Sequence, residues 1–461
     1  MSDLPRGWAQ TTLGAVCEVV SGATPKTGVP ANWGGDIPWV TPDDLSKNRS
    51  QLVGRGARFL TRSGHESCSA RLLPPGAVLY SSRAPIGYAA IAANAVATNQ
   101  GFKSLIPPRG LLSKYLYWYM SFITPEVRRR ASGTTFLEIS KAAISEVPLC
   151  IPPTAEQYRI VAAIEEEFSR IDAAAAALDS GQIRLKMMRA ALLGAAIGGQ
   201  LIDSERPLQS QADGRPAIPT AWRWVTVRDV AEVQGGITKN PQRAPRKTTA
   251  PFLRVANVGR GTFSLDDMHL IEVAPGEIAR FGLKDGDLLV VEGNGSPDQI
   301  GRSAVWRGHI SGCVHQNHLI RVRPGPEINP EYLGLYWNAP WPSQQIAALA
   351  SSTSGLHTLS VGKVARVPLA LPPIAEQADI VAHVREQEAR MGRITAHAAQ
   401  SRVRAATLRS AILGAAFTGR LVHHEPGDEP ASVLLKHIAR ERTSVDAQAK
   451  NGSRSFSKVI G

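Results

Sequence analysis

The sequence predicts a mixed α/β protein: two α/β globules with curved, mostly antiparallel sheets, separated by two long antiparallel helices that form a coiled coil. Three observations carry this expectation. The stretch Ile151–Leu201 returns as Leu371–Leu421, 220 positions on and with no insertion, each copy opening on Pro-Pro-x-x-Glu-Gln and closing around Leu-Gly-Ala-Ala. Apolar side chains inside both copies step by threes and fours, the spacing of a helix seam rather than of a strand. The flanking segments are rich in Gly and Pro and carry short β-branched runs, which suits sheets with long loops.

Taken in order, residues 1–150 form the first globule, with strands expected around Trp39-Val40, Val78–Tyr80, Ala89–Ala92 and Phe102–Ile106 and a short aromatic helix at Tyr115–Ile123. Residues 151–201 form the first long helix. Pro152-Pro153 ends what precedes it, Thr154 stands at the N-cap, and Gln157 three residues later completes a capping box. Its seam is Ile160, Ile164, Phe168, Ile171, Ala175, Leu178, Leu185, Met188 and Leu192, and Gly198-Gly199 supplies the stop. A polar linker follows at 202–217. The second globule spans 218–370, with strands expected at Leu253–Ala256, Leu288–Val291, Ala304–Trp306 and Leu319–Val322 and a helix at Tyr332–Trp337. The second long helix, 371–421, carries Ile380, Val384, Met391, Ile394, Ala398, Ala405, Leu408 and Ile412, with Ile374 in place of the capping Thr. The tail, 422–461, includes a short amphipathic helix at Pro430–Arg442 with Val433, Leu434 and Ile438 inward. The competing arrangement is two ordinary core helices of separate domains, yet single core helices seldom run past about 25 residues.

The repeat extends beyond the helices. Leu4–Trp8 matches Ile218–Trp222, Val16–Gly22 matches Val230–Gly236, and Tyr115–Tyr119 matches Tyr332–Tyr336. Ahead of each helix, Ser132-Gly-Thr…Ser140…Val147-Pro-Leu is echoed by Ser354-Gly-Leu…Ser360…Val367-Pro-Leu. The helices stay alike while the globules diverge, so two modules share one frame and face different things. A hydrophobic content of 43% marks a folded chain, and four scattered cysteines give no disulfide frame and no zinc spacing. With no signal peptide at the start and no apolar run of membrane-spanning length, a cytoplasmic setting without a membrane is expected. The formal charge of +13 favours a polyanionic partner, nucleic acid first.

Catalytic patterns are missing. No D/E-x-K triplet accompanies Asp43-Asp44, Gly362-Lys363 lacks the first glycine of a phosphate loop, and no Asn/Asp-Pro-Pro-aromatic run is present. Gly293-Asn-Gly295 is too short for a dinucleotide loop, and His315-x-x-His318 has no third metal ligand. The chain therefore reads as non-catalytic.

Two variable globules, each followed by Pro-Pro-x-x-Glu-Gln and a long helix ending in Leu-Gly-Ala-Ala, resemble the specificity subunit of type I restriction–modification enzymes. The approach through Ser-Gly-Thr…Ser…Val-Pro-Leu and the turn Ser81–Gly87 are similar to that family's recognition domain, and the likeness covers roughly residues 4–442. The resemblance implies two target recognition domains, each reading half of a bipartite site in double-stranded DNA, with the paired helices spacing the halves. It also implies two docked methyltransferase subunits and further restriction/translocase subunits. No cofactor is then expected on this chain; S-adenosylmethionine, ATP and Mg2+ belong to the partners. A stand-alone DNA-binding regulator is the alternative.

Base readout calls for Arg, Lys, Asn and Gln on loops, with further cations on phosphate. The candidates are Thr24, Lys26, Arg83, Asn99, Gln100 and Lys103 in the first globule. In the second they are Lys239, Arg243, Arg254, Asn257, Asn294, Arg302, Gln316 and Asn317, with Arg243 in Arg243–Lys247 expected on phosphate. Trp8 and Trp222, at equivalent positions, are expected to pack rather than stack on bases.

Overall fold

A pair of short antiparallel strands closes each module. Ala9–Thr12 pairs with Pro148–Ile151 in the first, and Arg223–Thr226 pairs with Pro368–Leu371 in the second. The Val-Pro-Leu repeat is therefore the closing strand, delivered by a short helix that Ser140 or Ser360 caps through its hydroxyl. This computed structural model describes residues 4–133, 137–203, 205–212, 214–293, 299–350 and 358–443. It divides into two compact units, Met1–Ala176 with Gln400–Gly461, and Ala177–Ala399.

In the first unit a five-stranded sheet runs in the order 18–21, 103–106, 78–80, 89–92, 52–53, and a three-stranded one in the order 58–60, 33–40, 97–98. All pairings are antiparallel except the 52–53/89–92 and 33–40/97–98 pairs. The second unit repeats this with four strands (231–235, 319–324, 288–291, 303–305) and three (269–272, 249–253, 314–315). The aromatic helix is Ser113–Arg129 in one module and Pro330–Asn338 in the other. Its tyrosines bind the closing strand alike: Tyr115 and Tyr119 donate to the carbonyls of Cys150 and Pro148, and Tyr332 and Tyr336 to those of Ala370 and Pro368.

Both long helices are continuous, Thr154–Ile197 and Ile374–Phe417. Within the first unit, Ile160, Ile164, Phe168 and Ile171 share one core with Ile412, Ala416 and Phe417. Within the second, Leu193, Ala196 and Ile197 share a core with Ile380, Val381 and Val384. The expected seam needs correction in its middle, where Met188, Ile394 and Leu408 are exposed. A straight helix repeats every 3.6 residues, so a stripe read at a strict seven slips by about 20° per heptad. Leu193, one position past the expected Leu192, is the side chain that ends up buried.

The capping box is a second correction. Thr154 donates instead to the carbonyl of Gly110, and Gln157 reaches carbonyls rather than a capping backbone N–H. Its amide donates to the carbonyls of Gly110 and Pro152 and accepts from the backbone of Leu112. Gln377 does the same with the carbonyls of Glu327 and Pro372 and the backbone N–H of Asn329. The preceding glutamate holds the module's first turn: Glu156 accepts from the Trp8 indole at 2.9 Å, and Glu376 from that of Trp222 at 3.0 Å. Both tryptophans are buried, as packing residues should be.

The helix ends are fixed by backbone shape. Gly199 and Gly419 have φ of +74° and +70°, and a Cβ on either would lie 2.2 Å from a proline ring, Pro219 and Pro5 respectively. Only glycine satisfies both demands. The linker is less loose than its composition suggests, since Leu208-Gln209 pairs with Ile218-Pro219 and Arg206 salt-bridges Glu376. The tail helix covers 431–443 and buries Ala431 and Ile438, with Leu434 partly covered. Leu253–Ala256 splits into the end of strand Thr249–Leu253 and a 3-10 turn, and helix Pro340–Ala350 has no counterpart in the expectation.

Gln157→Ala and Gln377→Ala should each cost about 3 kcal/mol, because each strands several buried backbone groups at once. Denaturant unfolding checks this, and a loss below about 1 kcal/mol would mean the amide is dispensable.

Candidate nucleic-acid interface

Strand 18–21 in the first module and strand 231–235 in the second lead to a glycine pressed against a neighbouring loop. A Cβ on Gly22 would sit 1.9 Å from the carbonyl oxygen of Asn99, and one on Gly236 would sit 2.2 Å from that of His315. This close approach draws four segments together in each module. In the first, Ala23 donates to the Thr98 carbonyl, Ser82 to that of Gly101, and Ile139 to that of Ser82. In the second, Ile237 donates to the His315 carbonyl, Asn317 to that of Ile237, Glu292 to that of His318, and Leu359 to that of Glu292. The surface is the same; its side chains differ.

Most candidates of the first module gather here. Thr24 hydrogen-bonds the Gln100 side chain, and Asn99 accepts from the Gly101 backbone at 2.9 Å, so both are partly used in shaping the loop. Lys26 is exposed. Arg83 and Lys103 converge on one carboxylate, Glu138, at 3.5 and 3.2 Å. Lys103 is buried, and its ammonium stabilises the loop from below. The Ser81–Gly87 turn carries a cis Ala84–Pro85 peptide and is anchored by Arg128, which donates to the Ile86 carbonyl.

In the second module the candidates separate. Lys239 is exposed, and Gln316 and Asn317 are half-buried beside it. Arg254 pairs with Asp267 at 2.7 Å, buried Asn257 donates to the Ser264 and Asp267 carbonyls, and Arg302 donates to those of Val255 and Val258. These three hold the 254–267 loop. Arg243, expected on phosphate, forms a two-pronged pair with Glu277 at 2.7 and 2.8 Å. The guanidinium holds the Glu277 carboxyl down to about 2. Asn294 lies outside the described residues. Lys239 and Arg243 also rim a cleft of about 630 Å³ floored by Phe252 and Ile271.

His315 and His318 do not converge on a ligand. His315 is buried with Nδ1 3.2 Å from the Phe281 carbonyl, and burial lowers it to about 4, so it is neutral. His318 faces Glu292 at 2.9 Å. Among the described residues no group of three or more His, Cys, Asp or Glu could hold a metal ion. Burial pushes the Cys17 and Cys313 thiols up to about 12, which removes them as nucleophiles. No helix among the described residues is long and apolar enough to cross a membrane.

The acidic partners Glu138, Asp267 and Glu277 were missed by sequence reasoning. Glu138 stands 35 positions from Lys103 and Glu277 stands 34 from Arg243, separations at which no spacing rule operates.

Each module thus presents a loop surface with an exposed basic residue, Lys26 or Lys239, on a mixed α/β frame. Residues 5–176 match the model of the type I restriction modification DNA specificity domain. The chain is 40% identical over 159 residues to the MjaIX specificity subunit of Methanocaldococcus jannaschii, covering 34% of this chain and 37% of that relative. It is 24% identical over 460 residues to the StySPI specificity subunit of Salmonella potsdam, covering 95% and 96%. In fold it is similar to a chain from a study of complex assembly in the type I R-M system, with a TM-score of 0.70 at 20% identity over 91% of this chain and 100% of that one. Residues 5–176 thus resemble that domain, and the chain over most of its length is similar to specificity subunits of type I restriction enzymes.

Lys26→Ala and Lys239→Ala should each lower the salt slope of DNA binding by about one, with folding intact. Glu277 contributes stability in full above its ordinary value of 4.5, and the contribution fades as pH falls toward 2. Acid titration of Glu277→Gln against the parent should therefore show a stability gap near neutrality that closes across that window. A gap constant with pH would contradict the pairing.

Proposed function

We propose that this chain is the DNA-reading subunit of a type I restriction–modification complex, with each module recognising one half of a bipartite target. The observation that carries this is the pairing of a constant frame with variable loops inside one chain. The Trp–Glu and Gln clamps are the same in both modules. The loops they support present Thr24, Lys26, Asn99 and Gln100 in one case and Lys239, Gln316 and Asn317 in the other. Unlike side chains on like surfaces suit two different half-sites.

On this reading the long helices pair as an antiparallel coiled coil, space the half-sites and dock two methyltransferase subunits. Linking two readers makes the second contact intramolecular, so two modest affinities become one tighter event. Half-sites about one duplex turn apart, roughly 34–36 Å, would offer both modules the same groove face. S-adenosylmethionine chemistry, and the ATP and Mg2+ needs of restriction, then belong to partner chains. This chain's residues position the DNA.

Exchanging residues 218–370 for the second module of another member should change one half of the methylated target and leave the other intact. Methylome sequencing of a host carrying the hybrid and its partners reads this directly. Loss of both halves together would show that the modules do not read independently.

A further inference from the structure

The second module contains a basic groove that the first module fills with aromatic rings. In the first, Tyr117 and Trp118 pack edge-to-face at 4.8 Å, and Trp118 packs likewise on Phe168 of the long helix at 4.9 Å. Arg409 lies over Phe168 with its guanidinium 4.6 Å from the ring centre. At the corresponding places the second module has Gly334, Leu335, Glu388 and Arg189. Losing three rings leaves an opening of about 280 Å³ lined by these residues, with Arg260, Arg307, Glu331 and Arg385 around them.

Four guanidiniums line the opening beside two carboxylates, and three of them, Arg189, Arg307 and Arg385, share those two. Glu331 holds both Arg307, at 2.7 Å, and Arg385, at 2.9 Å, while Glu388 holds Arg189 at 2.7 Å. The charges are layered. The side chains of Arg189, Arg307 and Arg385 are 46, 52 and 51% exposed, against 23% for Glu331 and 30% for Glu388. An approaching anion therefore meets guanidinium N–H groups first, already oriented by the carboxylates behind them. Guanidinium forks match phosphate oxygens in geometry and charge. In the first module the ion pair Lys114–Glu165 stands where the second has Glu331–Arg385, with the signs reversed, and Arg409, the counterpart of Arg189, pairs with Asp172.

We propose that this groove binds a phosphodiester group of DNA outside the bases that are read, and that it does so in the second module alone. The proposal rests on the DNA-reading function above. It assigns a sequence-independent contact, so it can fail while target recognition stands.

The test uses the full chain assembled with its methyltransferase subunits and a duplex of arbitrary sequence. Binding is measured across a salt series, beside the methylated motif in the host. For the double variant Arg260→Gln/Arg307→Gln, the slope of log affinity against log salt should fall by about 1, the release expected for one neutralised phosphate. The methylated motif should stay the same. Glu331→Gln should act in the opposite sense, raising affinity for the arbitrary duplex about threefold; if that variant does not fold, Glu388→Gln should raise it instead. A purely structural role would not give opposite signs. An unchanged slope in a folded double variant would overturn the proposal. So would loss of the methyltransferase subunits from the complex with the slope unaltered, which would make the groove a protein-docking site. A wild-type complex with no salt dependence and no methylated motif would instead overturn the DNA-reading function itself.

Discussion

The structure depends on the Glu-Gln pair at the start of each long helix, buried at Glu156, Gln157 and Gln377 and half-buried at Glu376. Pro152-Pro153 and Pro372-Pro373 cannot donate backbone hydrogen bonds, so the carbonyls around them need donors from elsewhere. The amides of Gln157 and Gln377 meet that need and at the same time grip the loop leading into the aromatic helix. Glu156 and Glu376 take the tryptophan indole from the module's first turn. One dipeptide thus joins helix, first turn and aromatic helix. Burying such groups unpaired would cost more than they contribute, which is why the arrangement is all or nothing.

With the frame fixed in this way, the loops around Gly22 and Gly236 are free to carry different residues. The charges divide accordingly. Arg243, Arg254 and Arg302 are committed to carboxylates or carbonyls, and Lys103 to Glu138. Lys26 and Lys239 stay exposed. The net charge of +13 already subtracts those carboxylates, so what a ligand meets depends on which cations, such as Lys26 and Lys239, stand exposed. Exposed and shared pairs, such as Arg307 and Arg385 on Glu331, keep part of their field for a partner.

The repeat, the helices and the strands Val78–Tyr80, Ala89–Ala92 and Leu288–Val291 were legible because each rests on local periodicity. The Pro-Pro-x-x-Glu-Gln motif was visible too, but its role was misread. Thr154 and Gln157 have capping-box spacing, and nothing local reveals that Gly110, 47 positions from Gln157, competes for the amide. The candidate surface was half legible for the same reason. Residue type picks out Arg243 and Arg302 as readily as Lys239, and only tertiary partners separate a loop brace from a free cation.

The most direct measurement is photo-crosslinking of the assembled complex to its methylated target with 5-iodouracil placed in each half-site, followed by mass spectrometry. The account predicts crosslinks from one half-site to the loops around residues 22–26 and 99–101, and from the other to those around 236–239 and 316–318. Crosslinks from both half-sites to a single module, or to the long helices instead of these loops, would contradict it.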